Sequence, residues 1–244
     1  MAEKLFAEFP PVSTEEWEKV ITTDLKGADY EKKLVWKTME GFSVRPYYRA
    51  EDLKNLKHLR VAPGCFPFVR GTKDNNKWLT RQDYCACDGN YDRANADAID
   101  GLKKGVNAVG FCLDGKKPVS VKEMQTMLKG IDLSKTEVNF VGCCCATAEI
   151  IKSFIAVVKE QKVNADNVKA SFDFDPIRVL NQKGAFCSDK SMNQLVDCAK
   201  AAAGYHYVRV VGVEAYAFND AGASLVQEVA YALSIGSEYM NKLM

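Results

Sequence analysis

Four acidic residues that follow apolar runs are the strongest candidates for chemistry in this sequence: Asp114, Asp173, Asp175 and Glu214. In a parallel sheet such residues lie just beyond the carboxyl ends of strands, where catalytic groups are usually found. Carboxylates grouped there could hold Mg²⁺ and stabilise an enolate. Asp is equally favoured as the capping residue of a helix that follows a strand. The sequence leaves both interpretations open, a metal-dependent enzyme and a set of helix caps or solvent-facing acids.

Cysteine and histidine give weaker indications of a site. Cys143–Cys145 are consecutive, and an extended backbone turns alternate side chains to opposite faces, so the three cannot all ligate one ion. Neither a CxxC pair nor a histidine at ligand spacing accompanies them, and Cys85-Ala-Cys87 has no better support. With only His58 and His206 present, a multi-histidine metal cage is excluded. We therefore expect no metal on these side chains and interpret the cysteines as reduced, small apolar fillers.

Arginine could recognise an anion at two places in the sequence. Arg70, and Arg81 with Gln82, lie in segments that resemble loops and could meet a phosphate or a carboxylate. Arginines that pack on the surface are the alternative interpretation. The sequence contains neither GxxxxGK[ST] nor GxGxxG, so a nucleotide site of either design is not predicted.

The charge and composition of the chain exclude several classes of partner. The 33 Lys and Arg residues balance 32 Asp and Glu residues, which leaves a formal net charge of +1. Recognition of nucleic acid or of an anionic membrane through bulk charge is therefore not expected. No apolar run reaches the roughly 18 residues of a membrane-spanning helix, and the first residues lack the apolar stretch of a secretory signal. With an odd number of cysteines, nine, we expect a cytoplasmic protein.

Regular alternation of helices and strands is predicted after residue 92. Apolar, β-branched runs begin near residues 106, 138, 168 and 207, and helical patterns separate them. Strands spaced by about 34 residues with helices between them are typical of βα units on a parallel sheet. Four units correspond to a small doubly wound sheet or to half of a (β/α)8 barrel. We predict this α/β region over residues 93–244.

Residues 1–92 are predicted to form an N-terminal arm. A capping box at Ser13–Glu16 indicates a helix, and after it Gly and Pro interrupt the sequence repeatedly. Many aromatic residues lie in this irregular stretch, and they are costly to leave in water. We expect the arm to pack on another surface through aromatic residues that include Trp36, Phe42, Tyr47, Tyr48, Phe66 and Phe68.

Several segments of the chain, in matching order, resemble the cobalamin-dependent methylmalonyl-CoA mutases. Those before residue 93 are similar to the N-terminal part of that family, and the last two to its fourth barrel strand and helix. The resemblance implies a (β/α)8 TIM-barrel fold, with about the first four units present here. The segments are Glu15–Trp17, Asp24–Gly27, Lys37–Tyr48, Ala50–Leu53, Pro67–Gly71, Trp78–Gln82, Ala215–Ala223 and Gln227–Tyr231.

The sequence also departs from the catalytic members of that family. Their B12-binding motif, D-x-H-x-x-G, is absent, since Leu56 and Gly204 stand two residues before the histidines. Ala217 occupies the position of a histidine that contacts the thioester in the family. Asp173 and Lys183 stand where the family has a Gln and a carboxylate-binding Arg. A loop that carries a substrate-facing tyrosine in the family contains no aromatic residue here.

With these departures, the sequence resembles the small subunit of a heterodimeric mutase. That enzyme interconverts (R)-methylmalonyl-CoA and succinyl-CoA. The resemblance implies that a large catalytic subunit is the partner and that this subunit binds both adenosylcobalamin and the acyl-CoA substrate. No cofactor and no catalytic residue are then expected on this chain, and Arg70, Arg81 and Gln82 would be remnants of coenzyme A contacts. An independent metal-dependent barrel enzyme and a weak acyl-CoA-binding module are the alternatives.

Overall fold

A computed structural model describes residues 5–115, 117–142 and 145–244 of the chain. Its contacts divide the chain into two compact units, Met1–Asn75 and Asn76–Met244. The sequence-based boundary at residue 92 therefore lies inside the second unit.

The first unit consists of short elements around a small aromatic cluster. Helix α1 begins with the predicted capping box, in which the Ser13 hydroxyl accepts from the Glu16 amide and the Ser13 amide donates to the Glu16 carboxylate at 3.0 Å. The Trp17 and Tyr47 rings stack at 4.8 Å between centroids, and the Arg49 guanidinium lies 5.3 Å from the Trp17 ring. The elements are α1 (Thr14–Asp24), α2 (Tyr30–Leu34), the antiparallel strands β1 (Trp36–Lys37) and β2 (Ser43–Val44), and a 3₁₀ helix (Ala50–Leu53).

Most aromatic side chains of the first unit are exposed. Trp36 is 65% exposed and Phe66 is 83% exposed. Among residues 5–75, Thr38 is the single residue that is fully buried. The aromatic residues of this unit therefore form no buried apolar core among the residues described.

The second unit is an α/β domain with a five-stranded parallel sheet. The strands follow one another across the sheet in chain order, and neighbours are joined through helices. The strands are β3 (Arg81–Cys85), β4 (Ala108–Cys112), β5 (Glu137–Val141), β6 (Ala170–Phe174) and β7 (Val208–Val211). The helices are α3 (Tyr91–Lys103), α4 (Val121–Leu128), α5 (Thr147–Glu160), α6 (Pro176–Lys183), α7 (Ser191–Ala201), α8 (Tyr216–Asp220) and α9 (Leu225–Leu243), with a 3₁₀ helix at Ala165–Asn167.

The prediction of four strands is too low by one. Strand β3 lies in the segment that we assigned to the arm, yet it pairs with β4 in register from Arg81 opposite Ala108 to Cys85 opposite Cys112. Its five residues include two charged side chains and no β-branched residue, so propensity gave no signal for a strand. Backbone pairing with an adjacent apolar strand decided its conformation.

The hydrophobic core lies between the sheet and its helices. Phe140 and Phe172, on neighbouring strands, stack at 4.9 Å between ring centroids, and Phe154 of α5 meets both rings edge-on. Burial of these large apolar rings is the main contribution to the stability of the domain. Within the described residues, no helix has both the length and the apolar character needed to cross a membrane.

The opposite face of the sheet is polar, because side chains alternate along each strand. A cross-strand row runs through Asp83, Gly110, Asn139, Ser171 and Arg209, which are aligned by the strand register. Ser171 and Asn139 are buried and joined by a hydrogen bond of 2.7 Å. The sheet thus has an apolar face against the helices and a hydrogen-bonded polar face on the other side.

Candidate functional site

Asp175 occupies the carboxyl end of β6, at the edge where parallel sheets place their sites. It is 2% exposed and caps helix α6, accepting a hydrogen bond of 2.9 Å from the Arg178 amide. It also accepts from the Glu214 amide at 2.8 Å and from the Tyr239 hydroxyl. The helix-cap interpretation is confirmed for Asp175, whose carboxylate is fully used in holding the fold together.

Glu214 follows β7 and is committed to an ion pair. Its Oε2 atom lies 2.6 Å from the Arg178 guanidinium, and both side chains are about three-quarters or more buried. A carboxylate in such a contact is neutralised locally and has little capacity left for a metal or a substrate.

Asp173 is the most unusual acid of this edge. Its φ of +42° is rare for a residue other than glycine, and the register of β6 against β7 is irregular at this point. A Cβ atom on Gly212 would lie 3.1 Å from the Asp173 Cα, so any larger residue there would crowd the Asp173 backbone. Burial raises the pKa of Asp173 above its ordinary value, while Arg81 and, more weakly, Arg209 oppose that rise. Asp173 is therefore a half-buried acid on the polar face of the sheet.

The four predicted carboxylates do not form a metal centre. Across the residues that the structure describes, no three His, Cys, Asp or Glu side chains are grouped so that they could hold a metal ion. Asp114 lines a cavity of about 470 Å³, whereas Asp175 and Glu214 are engaged as described above. The alternative of a magnesium-dependent enzyme built on these four acids is not supported by the structure.

The structure separates the positions at which the sequence departs from the mutase pattern. Lys183 ends helix α6 and lines the same 470 Å³ cavity as Asp114. Ala217 lies in α8 and lines a smaller cavity of about 250 Å³ with Arg178 and Phe218. Alanine offers that cavity neither a donor nor an acceptor, so Ala217 cannot carry out the role of a histidine.

Of the three residues proposed as coenzyme A contacts, Arg81 and Gln82 point to opposite faces of the sheet. Arg81 lies on the polar face, where its guanidinium pairs with Asp83 at 2.6 Å. Gln82 is the next residue along the same strand, so it points to the other face, where it lines a cavity of about 430 Å³. Arg70 is an exposed residue of the first unit. The structure provides no test of their binding, and their role stays a prediction.

Within the second unit, no histidine follows a strand at this edge of the sheet. His206 is the one histidine of the second unit, and it precedes β7, at the amino end of that strand. His58 belongs to the first unit. General acid–base chemistry by the second unit at this edge would therefore depend on carboxylates, of which Asp175 is used as a helix cap and Glu214 in an ion pair.

The cysteines are more varied than the sequence analysis expected. Cys198 is a buried filler, as predicted, and burial raises the pKa of its thiol to about 12. Cys187 is disulfide-bonded, so the expectation of reduced thiols throughout is wrong at that position. Cys143 and Cys144 lie outside the described residues. Sequence reasoning missed that Cys85 and Cys112 face each other across β3 and β4, because it missed strand β3 itself.

Comparison with known proteins places these observations in a family context. The family model described as methylmalonyl-CoA mutase matches residues 91–244. The chain is 41% identical over 243 residues, 99% of its length, to the methylmalonyl-CoA mutase small subunit of Porphyromonas gingivalis. It is 28% identical, over 92% of its length, to a methylmalonyl-CoA mutase of Rhizobium meliloti. The chain spans 38% and 35% of the lengths of these two relatives.

Proposed function

Because the chain belongs to the methylmalonyl-CoA mutase family, we propose that it is part of the noncatalytic small subunit of a heterodimeric mutase. The complex interconverts (R)-methylmalonyl-CoA and succinyl-CoA, and the large subunit binds adenosylcobalamin and the acyl-CoA substrate. The relatives support the heterodimer, since a small and a large methylmalonyl-CoA mutase subunit are both similar to this chain.

The observation that carries this proposal is the state of the carboxyl edge of the sheet. Asp175 caps helix α6, Glu214 is paired with Arg178, and position 217 is alanine. A catalytic site requires a nucleophile, base or oxyanion donor directed at one reacting atom. Glu214 and Arg178 are instead directed at each other, and Asp175 is directed at backbone amides and the Tyr239 hydroxyl, which favours a structural role.

The residues present do not fit cobalamin. Neither His58 nor His206 stands in a D-x-H-x-x-G motif, and His206 lies at the amino end of its strand. No step of the reaction is therefore assigned to a cofactor on this chain, and the radical chemistry belongs to the partner.

The barrel part of the proposal rests on the strand order. Five parallel strands follow one another in a single direction, and right-handed crossovers in one direction place all helices on the same face of the sheet. A doubly wound sheet reverses direction and covers both faces with helices. The observed order and the polar opposite face favour a segment of a (β/α)8 barrel.

The first unit is the proposed contact with the large subunit. Its exposed aromatic residues form no core among the described residues, and aromatic side chains are enriched at the centres of protein interfaces. The near-zero net charge favours a protein partner over nucleic acid or a membrane. A cytoplasmic location is part of the same proposal.

Reconstitution with the large subunit tests the proposed function. In the reconstituted heterodimer, Asp173→Asn and Lys183→Met should leave kcat and KM within about twofold of the wild type, because neither residue contacts the substrate. A large-subunit substitution at the B12-ligating histidine is the matched positive control and should abolish turnover. A loss of more than about tenfold in kcat for either variant of this chain would overturn the noncatalytic assignment.

A further inference from the structure

Three thiols meet at the carboxyl end of the first two strands of the sheet. Cys85 is the last residue of β3 and lies opposite Cys112, the last residue of β4. Cys87, two residues further on, donates its S–H to the Cys112 carbonyl at 3.3 Å. The Ala86 amide donates to that same carbonyl at 2.8 Å, which fixes the turn between β3 and α3.

The two cysteines of the turn lie two residues apart and are accessible. Cys85 and Cys87 are both exposed, whereas Cys112 is half-buried. Burial raises the pKa of the Cys87 thiol, and hydrogen bonding with Cys85 adds to the rise. The fold thus holds both exposed cysteines next to Cys112, in a turn that the backbone has already closed.

We propose that Cys85 and Cys87 are an oxidisable dithiol that closes to an intramolecular disulfide by exchange with a low-molecular-weight disulfide. The Cys85 thiolate attacks one sulfur of the oxidant, whose S–S bond breaks and releases one thiolate. Cys87 then loses its proton to water and attacks the Cys85 sulfur, which releases the second thiolate. The two protein thiols are oxidised to one disulfide, and the oxidant is reduced to two thiols.

The raised pKa of the Cys87 thiol slows the exchange steps in which Cys87 attacks or leaves. A thiol whose pKa is raised is a poor leaving group, so reduction that expels Cys87 is slow. Disulfide formation is slow for the same reason, because little thiolate is present at neutral pH. The two thiols are therefore expected to form their bond only when the low-molecular-weight disulfide stays in excess for a long time.

The sequence itself provides a sharp test by peptide mapping. Trypsin cleaves after Arg81 and Arg93, so Cys85 and Cys87 fall in one peptide, Gln82–Arg93, and Cys112 falls in another. After incubation of the folded chain with glutathione disulfide, we expect Gln82–Arg93 to lose two hydrogen masses and to resist alkylation. Cys85→Ser and Cys87→Ser should lower the yield of this bridged peptide at least about tenfold, while Cys112→Ser should retain it.

Two outcomes would overturn the proposal. Recovery of glutathione adducts alone, or of peptides linked through Cys112, would show that Cys85 and Cys87 do not pair. Equal rates of bridging in the folded chain and in the urea-unfolded chain would show that the folded turn contributes nothing. Circular dichroism of each serine variant verifies that the fold is retained.

Discussion

The Tyr239 hydroxyl donates a hydrogen bond to the Asp175 carboxylate across 64 residues of sequence. The same hydroxyl accepts from the Ile177 amide at 2.9 Å, so one side chain of α9 joins the end of β6 to the first turn of α6. Asp175 extends the connection to the loop after β7 through the Glu214 amide. The buried pair of Tyr239 and Asp175 therefore holds together helix α9, the junction of β6 with α6, and the loop after β7.

Tyr239→Phe should destabilise the chain by about 1–3 kcal/mol, because Asp175 loses a donor and the Ile177 amide loses its acceptor in a buried site. Tyr231→Phe is the matched control on the same helix. Tyr231 is 44% exposed, so its hydroxyl is accessible to water and its removal should change stability by less than about 0.5 kcal/mol. Urea unfolding measures both variants, and equal midpoints would contradict the role given to Tyr239.

Gly110→Ala should destabilise the sheet by about 1–3 kcal/mol. An added Cβ would lie 1.8 Å from the Asp83 Oδ1 atom and 3.0 Å from the Arg81 Nε atom, so the Arg81–Asp83 pair must move. Gly236→Ala in α9 is the control, since nothing lies within 4 Å of its Cβ position. Alanine should stabilise that helix by roughly 0.5–1 kcal/mol. If thermal unfolding showed that both substitutions change stability in the same direction, the packing described for Gly110 would be refuted.

Asp173→Asn should change the dependence of stability on pH. Because burial raises the folded pKa of Asp173 above its ordinary value of 3.8, the folded state binds this proton more tightly than the unfolded state. The wild type therefore loses stability as the pH rises from that value through the folded pKa, and the uncharged variant does not. Asn also tolerates the left-handed backbone conformation at this position.

Urea midpoints of the wild type and Asp173→Asn, measured from pH 3 to pH 7, test this expectation. The stability of the variant relative to the wild type should increase with pH across the acid range. A relative stability that decreased with rising pH would mean that Arg81 and Arg209 outweigh the burial of Asp173.

Trp36→Ser should weaken association with the large subunit without changing the stability of this chain. Trp36 is 65% exposed, and loss of an aromatic side chain at the centre of an interface costs about 2 kcal/mol, roughly thirtyfold in Kd. Trp17→Ser is the contrasting variant, because Trp17 stacks on Tyr47 and its loss should also destabilise the first unit. An unchanged Kd for Trp36→Ser in a titration by light scattering or calorimetry would place the interface elsewhere.

Local patterns in the sequence predicted much of the second unit. The four apolar, β-branched runs are strands, and the capping box at Ser13 in the first unit begins a helix as expected. These signals are short-range, since they depend on side-chain propensity and on hydrogen bonds between residues three apart. Strand β3 has no such signal, because its conformation depends on pairing with β4 some 27 residues later in the chain.

The sequence by itself determined the alternation of strands and helices, the near-zero charge, the family resemblance and the loss of a histidine at position 217. All of these are properties of residue identity and of spacing over a few residues. Only the tertiary structure decided that Asp175 is a helix cap bonded to Tyr239, that Arg81 and Gln82 point to opposite faces, and that Cys85 meets Cys112. Whether an acid or a thiol is satisfied, paired or exposed depends on neighbours that folding brings from distant parts of the chain, and spacing alone does not encode those neighbours.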